Sequence, residues 1–153
     1  MASPYSHSID LTFPASKAAI VRARQLTSYA LACWGLGNLL DEAKLIVTEL
    51  VDNAIGAVVR RKPASVEIGL RLQATGQSLM IEVEDPLTEW LPQVREARGL
   101  RLISAMSDDW GVRQSTTGKI VWASLSNEPP TYLSGPPWPA TGEPWGRRGY
   151  GTD

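Results

Sequence analysis

The segment LIVTELVDNAIGAVVRR, residues 45–61, sets two polar side chains, Glu49 and Asn53, beside a stripe of Leu, Ile and Val. On a helix, residues four apart point about 40° apart and stand roughly 6 Å apart along the axis. Both would project beside the face carrying Ile46 and Leu50, lining the floor of a cleft at the edge of a core. Polar groups placed there lose hydration and need a partner. The chemistry open to them is specific. An Asn carbonyl is a hard oxygen suited to Mg2+, an ion that keeps waters and substrate phosphates as its other ligands. A neighbouring carboxylate can take the proton of a hydroxyl or water as it attacks phosphorus. Taken alone, the E-x-x-x-N spacing fits an exposed or capping pair better.

Two further positions bear on that balance. LMIEVEDP (79–86) ends in Asp85, whose carboxylate could receive the exocyclic amine of adenine; its bland alternative is a turn residue opening Asp-Pro. ARGL (97–100) places Gly99 ahead of a helix whose free N–H groups could face phosphate, the alternative being simple helix entry.

The elements that must position these residues are readable from periodicity. SIDLTF (8–13) alternates as a half-buried strand ended by Pro14. From Ser16 to Cys33, Ala19, Ile20, Ala23, Leu26, Ala30 and Cys33 recur at helical spacing, and WGLGN (34–38) breaks the helix. A second helix runs from Leu40 to Arg60, capped by Asn38 or Asp41, with Ala43, Ile46, Val47, Leu50, Ala54, Ala57 and Val58 inward. SVEIGLRL (65–72) and SLMIEVE (78–84) form a hairpin across QATGQ. A loop with no clear period follows to Arg98, then a short helix over 99–107 with Leu100, Ile103 and Met106 inward, and a closing strand pair, DWGVRQS and KIVWASL. The order predicts an α/β sandwich: a mixed, mostly antiparallel sheet with helices on one face.

Composition bounds the rest. A chain of 153 residues, 43% hydrophobic and 20% charged, is most economically one globular domain. A net charge of −1 gives no field for nucleic acid or anionic lipid, so neither is expected as a partner. The single cysteine, Cys33, excludes an internal disulfide and reads as core packing in a reducing compartment. No stretch has the pattern of a signal peptide or membrane span, which makes a cytoplasmic protein the expectation. His7 is the only histidine, leaving Ser-His-Asp catalysis and His-based metal sites without support. Trp34, Trp110 and Trp122 read as core or rim rather than as stacking platforms. Residues 127–153 hold six of the 11 prolines and read as a disordered or loosely docked tail, with 1–7 as an N-terminal extension and 8–126 as the domain.

In that order, RARQLTSYALACWGL, DEAKLIVTELVDNAIGA, LMIEVEDP, RGLRLISAMSDDWGV and GKIVWASL together resemble the GHKL (Bergerat-fold) ATPase domain. Within it they resemble the small stand-alone bacterial anti-sigma-factor serine/threonine kinases. The resemblance covers nearly all of residues 8–126 and implies ATP and Mg2+ as cofactors. By it, Asn53 would coordinate Mg2+, Glu49 would activate the attacking hydroxyl, and Asp85 would bind adenine. Arg98, Gly99 and Leu100 would lie near the phosphates. It also implies a sigma factor and/or an anti-sigma-factor antagonist protein as partner, and a homodimer.

Four differences from the family pattern stand out. Asp-x-Gly is here Asp85-Pro86-Leu87, and the first glycine of Gly-x-Gly is replaced in Ala97-Arg98-Gly99. Gly56 stands where a His often follows the N-box helix, and the loop over 86–98 is short for an ATP lid, stiffened by Pro86 and Pro92. The sequence thus carries two expectations: an ATP-dependent kinase, or a degenerate module that binds nucleotide weakly or not at all and works by sequestering its partner.

Overall fold

The structure, a computed structural model, describes residues 6–61, 66–86 and 94–127, with the side chains of 57, 59–61 and 94–99 excepted. The expectations for most of the loop after Pro86 and for the tail from 128, and that for Ala57 as a core residue, lie outside this set.

Five strands form one sheet in the order β1-β2-β3-β5-β4: β1 (His7–Pro14), β2 (Glu67–Thr75), β3 (Ser78–Asp85), β4 (Asp109–Gln114) and β5 (Lys119–Ser126). All four pairings are antiparallel, so the expected α/β sandwich has no parallel pair among the described residues. Strand β1 starts at His7, which pairs with Ala74 instead of preceding the sheet. Helices α1 (Lys17–Cys33), α2 (Leu40–Arg61) and α3 (Val94–Met106) complete the fold.

The alternation seen in the sequence sets the faces. Leu70 pairs with Val83, Leu72 with Ile81 and Ala74 with Leu79, and these six are buried against the helices. The hairpin turns at Gly76, whose φ of 56° only glycine adopts without strain. On α2, Ala43, Ile46, Val47, Leu50, Val51, Ala54, Ile55 and Val58 are buried, a wider face than the periodicity indicated. Each large side chain buried this way contributes roughly 1.5–3 kcal/mol. Arg24 Nη1 on α1 donates to Thr48 Oγ1 on α2 at 2.8 Å, fixing the rotation of one helix against the other.

Helix α1 ends where the sequence breaks. Gly35 takes a φ of 71°, the Leu36 N–H donates to the Leu31 carbonyl at 2.9 Å, and both leucines are fully buried. This is the long hydrogen bond and apolar contact of a Schellman stop. A 3-10 turn over Gly37–Leu39 then leads into α2, where Asp41 and Glu42 sit in the first turn and favour the positive end of the helix dipole. Cys33 is exposed, not in the core as expected: the apolar face of α1 has rotated past it by the last turn, where Ala30 and Leu31 are buried. Trp110 and Trp122 are buried and Trp34 is partly buried, as expected. No described helix is long and apolar enough to cross a membrane.

Candidate functional site

The site starts from a register. Strand β3 ends at Asp85 and β5 begins at Lys119, and these two residues are direct partners across the antiparallel ladder. Directly paired residues project on the same side of a sheet. Here it is the helix side, because Val83 and Val121, two residues along each strand, pack with the core. The Asp85 and Lys119 side chains are only 2% and 5% exposed, and their charged atoms lie 3.5 Å apart. Two opposite charges are therefore buried at the junction of two strand ends.

What holds that junction so close is Gly118. A Cβ built there would lie 1.9 Å from the Asp85 carbonyl oxygen and 2.8 Å from the Pro86 Cα. No side chain fits, so glycine is required by backbone approach. The turn that carries Gly118 is pinned twice. Ser115 N–H donates to the Gly118 carbonyl at 2.8 Å, and Ser115 Oγ donates to Glu84 Oε2 at 2.7 Å from the opposite sheet face. Thr117 Oγ1 adds a 3.3 Å bond to the same carboxylate.

Above this floor lies a small pocket, partly open to solvent, walled by Leu50 and Ala54 of α2, Val83 of β3, Val121 of β5 and Leu100 of α3. Its polar lining comes from Asn53, Asp85 and Lys119. Apolar walls with a few convergent polar groups suit a flat, partly polar ring.

Three of the residues singled out in the sequence, Asn53, Asp85 and Leu100, meet in this pocket. Glu49 does not line it; it is half-buried on α2, one turn before Asn53. Arg98 and Gly99 are differently placed than expected. Helix α3 begins at Val94, five residues before the expected start, so both lie inside it instead of at its N-terminus. Helical geometry turns their amide N–H groups toward carbonyls four residues back, and only the first four N–H groups of a helix remain open. The helix extends because VREA ahead of Arg98 contains good helix formers and no breaker.

Lys119 was not singled out from sequence, although a signal was present. In KIVWASLS, Lys119 falls on the same alternation as Val121, Ala123 and Leu125, which puts a charge in the inward register of a core strand.

The donor set also bears on magnesium. Among the described residues there is no cluster of three or more His, Cys, Asp or Glu side chains able to hold a metal. A pocket offering one Asn oxygen suits an ion that arrives with a phosphate ligand and keeps its waters, not one caged by protein.

Comparison with known proteins bears on the fold and the family. The fold is similar to the crystal structure of the RsbU and RsbW domains of Rv1364c from Mycobacterium tuberculosis, with a TM-score of 0.59 and 16% identity. The match covers 79% of this chain and 32% of that one, so the chain spans about a third of its neighbour's length, and the likeness is one of fold. No curated protein matches by sequence. The histidine kinase-like ATPase domain model, by contrast, matches residues 13–125, well over half of the chain. The chain therefore belongs to the histidine kinase-like ATPase domain family, and ATP is the ligand that membership implies.

Proposed function

We propose that the protein binds ATP in the pocket between α2 and the β3–β5 junction and transfers its γ-phosphoryl group to a Ser or Thr hydroxyl of a partner protein. The observation that carries this reading is the meeting of Asn53 and Asp85 in one apolar-walled pocket, in a chain of an ATPase family. Asp85 accepts a hydrogen bond from the adenine amine. Asn53 supplies the protein oxygen for a Mg2+ ion carried on the phosphates, which neutralises charge there. Glu49, one turn before Asn53 on α2, takes the proton from the attacking hydroxyl. As that oxygen bonds to the γ-phosphorus, the bond from phosphorus to the bridging β–γ oxygen breaks and ADP leaves. The regulated partner is a sigma factor and/or an anti-sigma-factor antagonist, met by a homodimer in the cytoplasm.

A second reading has one observation in its favour. With α3 running from Val94, the N–H groups of Arg98 and Gly99 face along the helix and not toward phosphate. In that reading the domain holds nucleotide weakly or not at all and acts by sequestering its partner.

Calorimetric titration with ATP, with and without Mg2+, separates the two. The kinase reading expects Mg2+-dependent binding that Asn53→Ala abolishes. No heat, together with no displacement of a fluorescent nucleotide, would leave the sequestering module.

A further inference from the structure

Resting on the ATP reading above, we infer that Lys119 is a second base-reading group: its ammonium donates to the N1 ring nitrogen of adenine while the Asp85 carboxylate accepts from the exocyclic amine.

The placement comes first. Lys119 and Asp85 are ladder partners at the junction of two strand ends, and both line the pocket. The remaining walls near them, Val83, Val121, Ala54 and Leu50, are aliphatic and offer nothing to a polar ring edge. Asn53, the other polar group of the lining, comes from helix α2 and not from the sheet. The edge of a base entering between these walls therefore meets the Asp85–Lys119 pair.

The energetics ask why the pair is there at all. Lysine is almost never buried to this degree without a partner. A buried ion pair is commonly no more stabilising than well-packed apolar residues of the same volume. One carboxylate also cannot use all three donors of an ammonium. Packing alone thus gives no reason for a lysine at 5% exposure, whereas a ligand with an acceptor beside a donor does.

The chemistry matches such a ligand. Adenine presents a donor, the N6 amine, directly beside an acceptor, N1. The pair presents an acceptor beside a donor with charged atoms 3.5 Å apart. Asp85 by itself would read only the amine; with Lys119 the site reads two adjacent positions, and each ion keeps its partner while the base binds. Guanine offers the reverse order, an O6 acceptor beside an N1–H donor, so base preference is part of the test.

The experiment is competitive binding of ATP, 1-deaza-ATP (C–H in place of N1) and GTP to the full chain with Mg2+. A hydrogen bond from a charged donor predicts that 1-deaza-ATP binds roughly 10- to 100-fold more weakly than ATP. In Lys119→Met, checked for folding by circular dichroism, that ratio falls to one. The analogue comparison on the parent protein stands even if the variant does not fold. Equal affinity of the parent for ATP and 1-deaza-ATP would overturn the proposal and leave Lys119 as a counter-ion for Asp85. GTP binding more tightly than ATP would overturn it as well. Failure of all three nucleotides to bind removes the ATP reading itself, and the proposal with it.

Discussion

Under the proposed ATP reading, two glycines stand next to pocket-lining residues, Gly118 beside Lys119 at the base end and Gly99 beside Leu100 at the phosphate end, and they are held for opposite reasons. Gly118, at the base end, is locked: its neighbour's backbone occupies the space a side chain would need. Gly99, at the phosphate end, lies in the second turn of α3, where a helix gains nothing from glycine and loses roughly 0.5–1 kcal/mol relative to alanine. The base end is built from strand ends in fixed register with a buried ion pair, and the phosphate end from a helix stretched over its own glycine box. Under that reading, the site is built more completely where it would recognise its ligand than where it would act on it.

The comparison can be broken at several points. Glu49→Ala carries the largest expected effect: loss of the general base should lower ADP formation from ATP by roughly 10²–10⁴-fold. ATP affinity should stay unchanged, since Glu49 does not line the pocket. Equal turnover in the variant would remove Glu49 from the chemistry and leave the phosphate end without a base. Next comes Asp85→Ala, which strands a buried ammonium and should cost about 3–5 kcal/mol of stability in urea unfolding. A loss under about 1 kcal/mol would mean that the pair behaves as a solvated one.

Gly118→Ala should destabilise by about 1–3 kcal/mol, through forced displacement of the β3–β5 junction, and weaken ATP binding with it. Gly99→Ala should do the reverse to stability, raising it by about 0.5–1 kcal/mol while weakening ATP, if the glycine serves the bound state. Its sign sharpens the contrast most directly. Stabilisation with unaltered ATP affinity would mean that α3 stays helical over Gly99 when nucleotide is bound.

Much of this was legible in the sequence. The alternation of Ile68 and Leu70 with Leu79, Ile81 and Val83 specified the central hairpin and its buried face, because a one-residue slip would turn all of them to water. The periodicity of α2 placed Asn53 beside Leu50 for the same geometric reason. Two features resisted. The start of α3 depended on whether VREA continued a loop or opened a helix, a choice that local propensity decides only weakly. Lys119 resisted because its meaning lies in its neighbour: only the pairing of β5 with β3 shows that a lysine at the head of a strand faces a carboxylate. Cys33 shows the limit of periodicity at a helix end, where a residue at core spacing emerges from the core as the chain turns away.

The sheet order has a consequence for how the protein is made. Strand β5, the last to leave the ribosome among the five, is not an edge: it inserts between β3 and β4. Until residues Lys119–Ser126 have been synthesised, β4 lacks its ladder partner and the pocket lacks Lys119 and Val121. A nascent chain halted before Lys119 would thus carry Asn53 and Asp85 without the β5 side of the pocket, so under the ATP reading nucleotide capture would report that translation has passed β5. In a pulse of synthesis, ATP-dependent protection from protease should appear in one step, at the length that exposes β5, and not gradually.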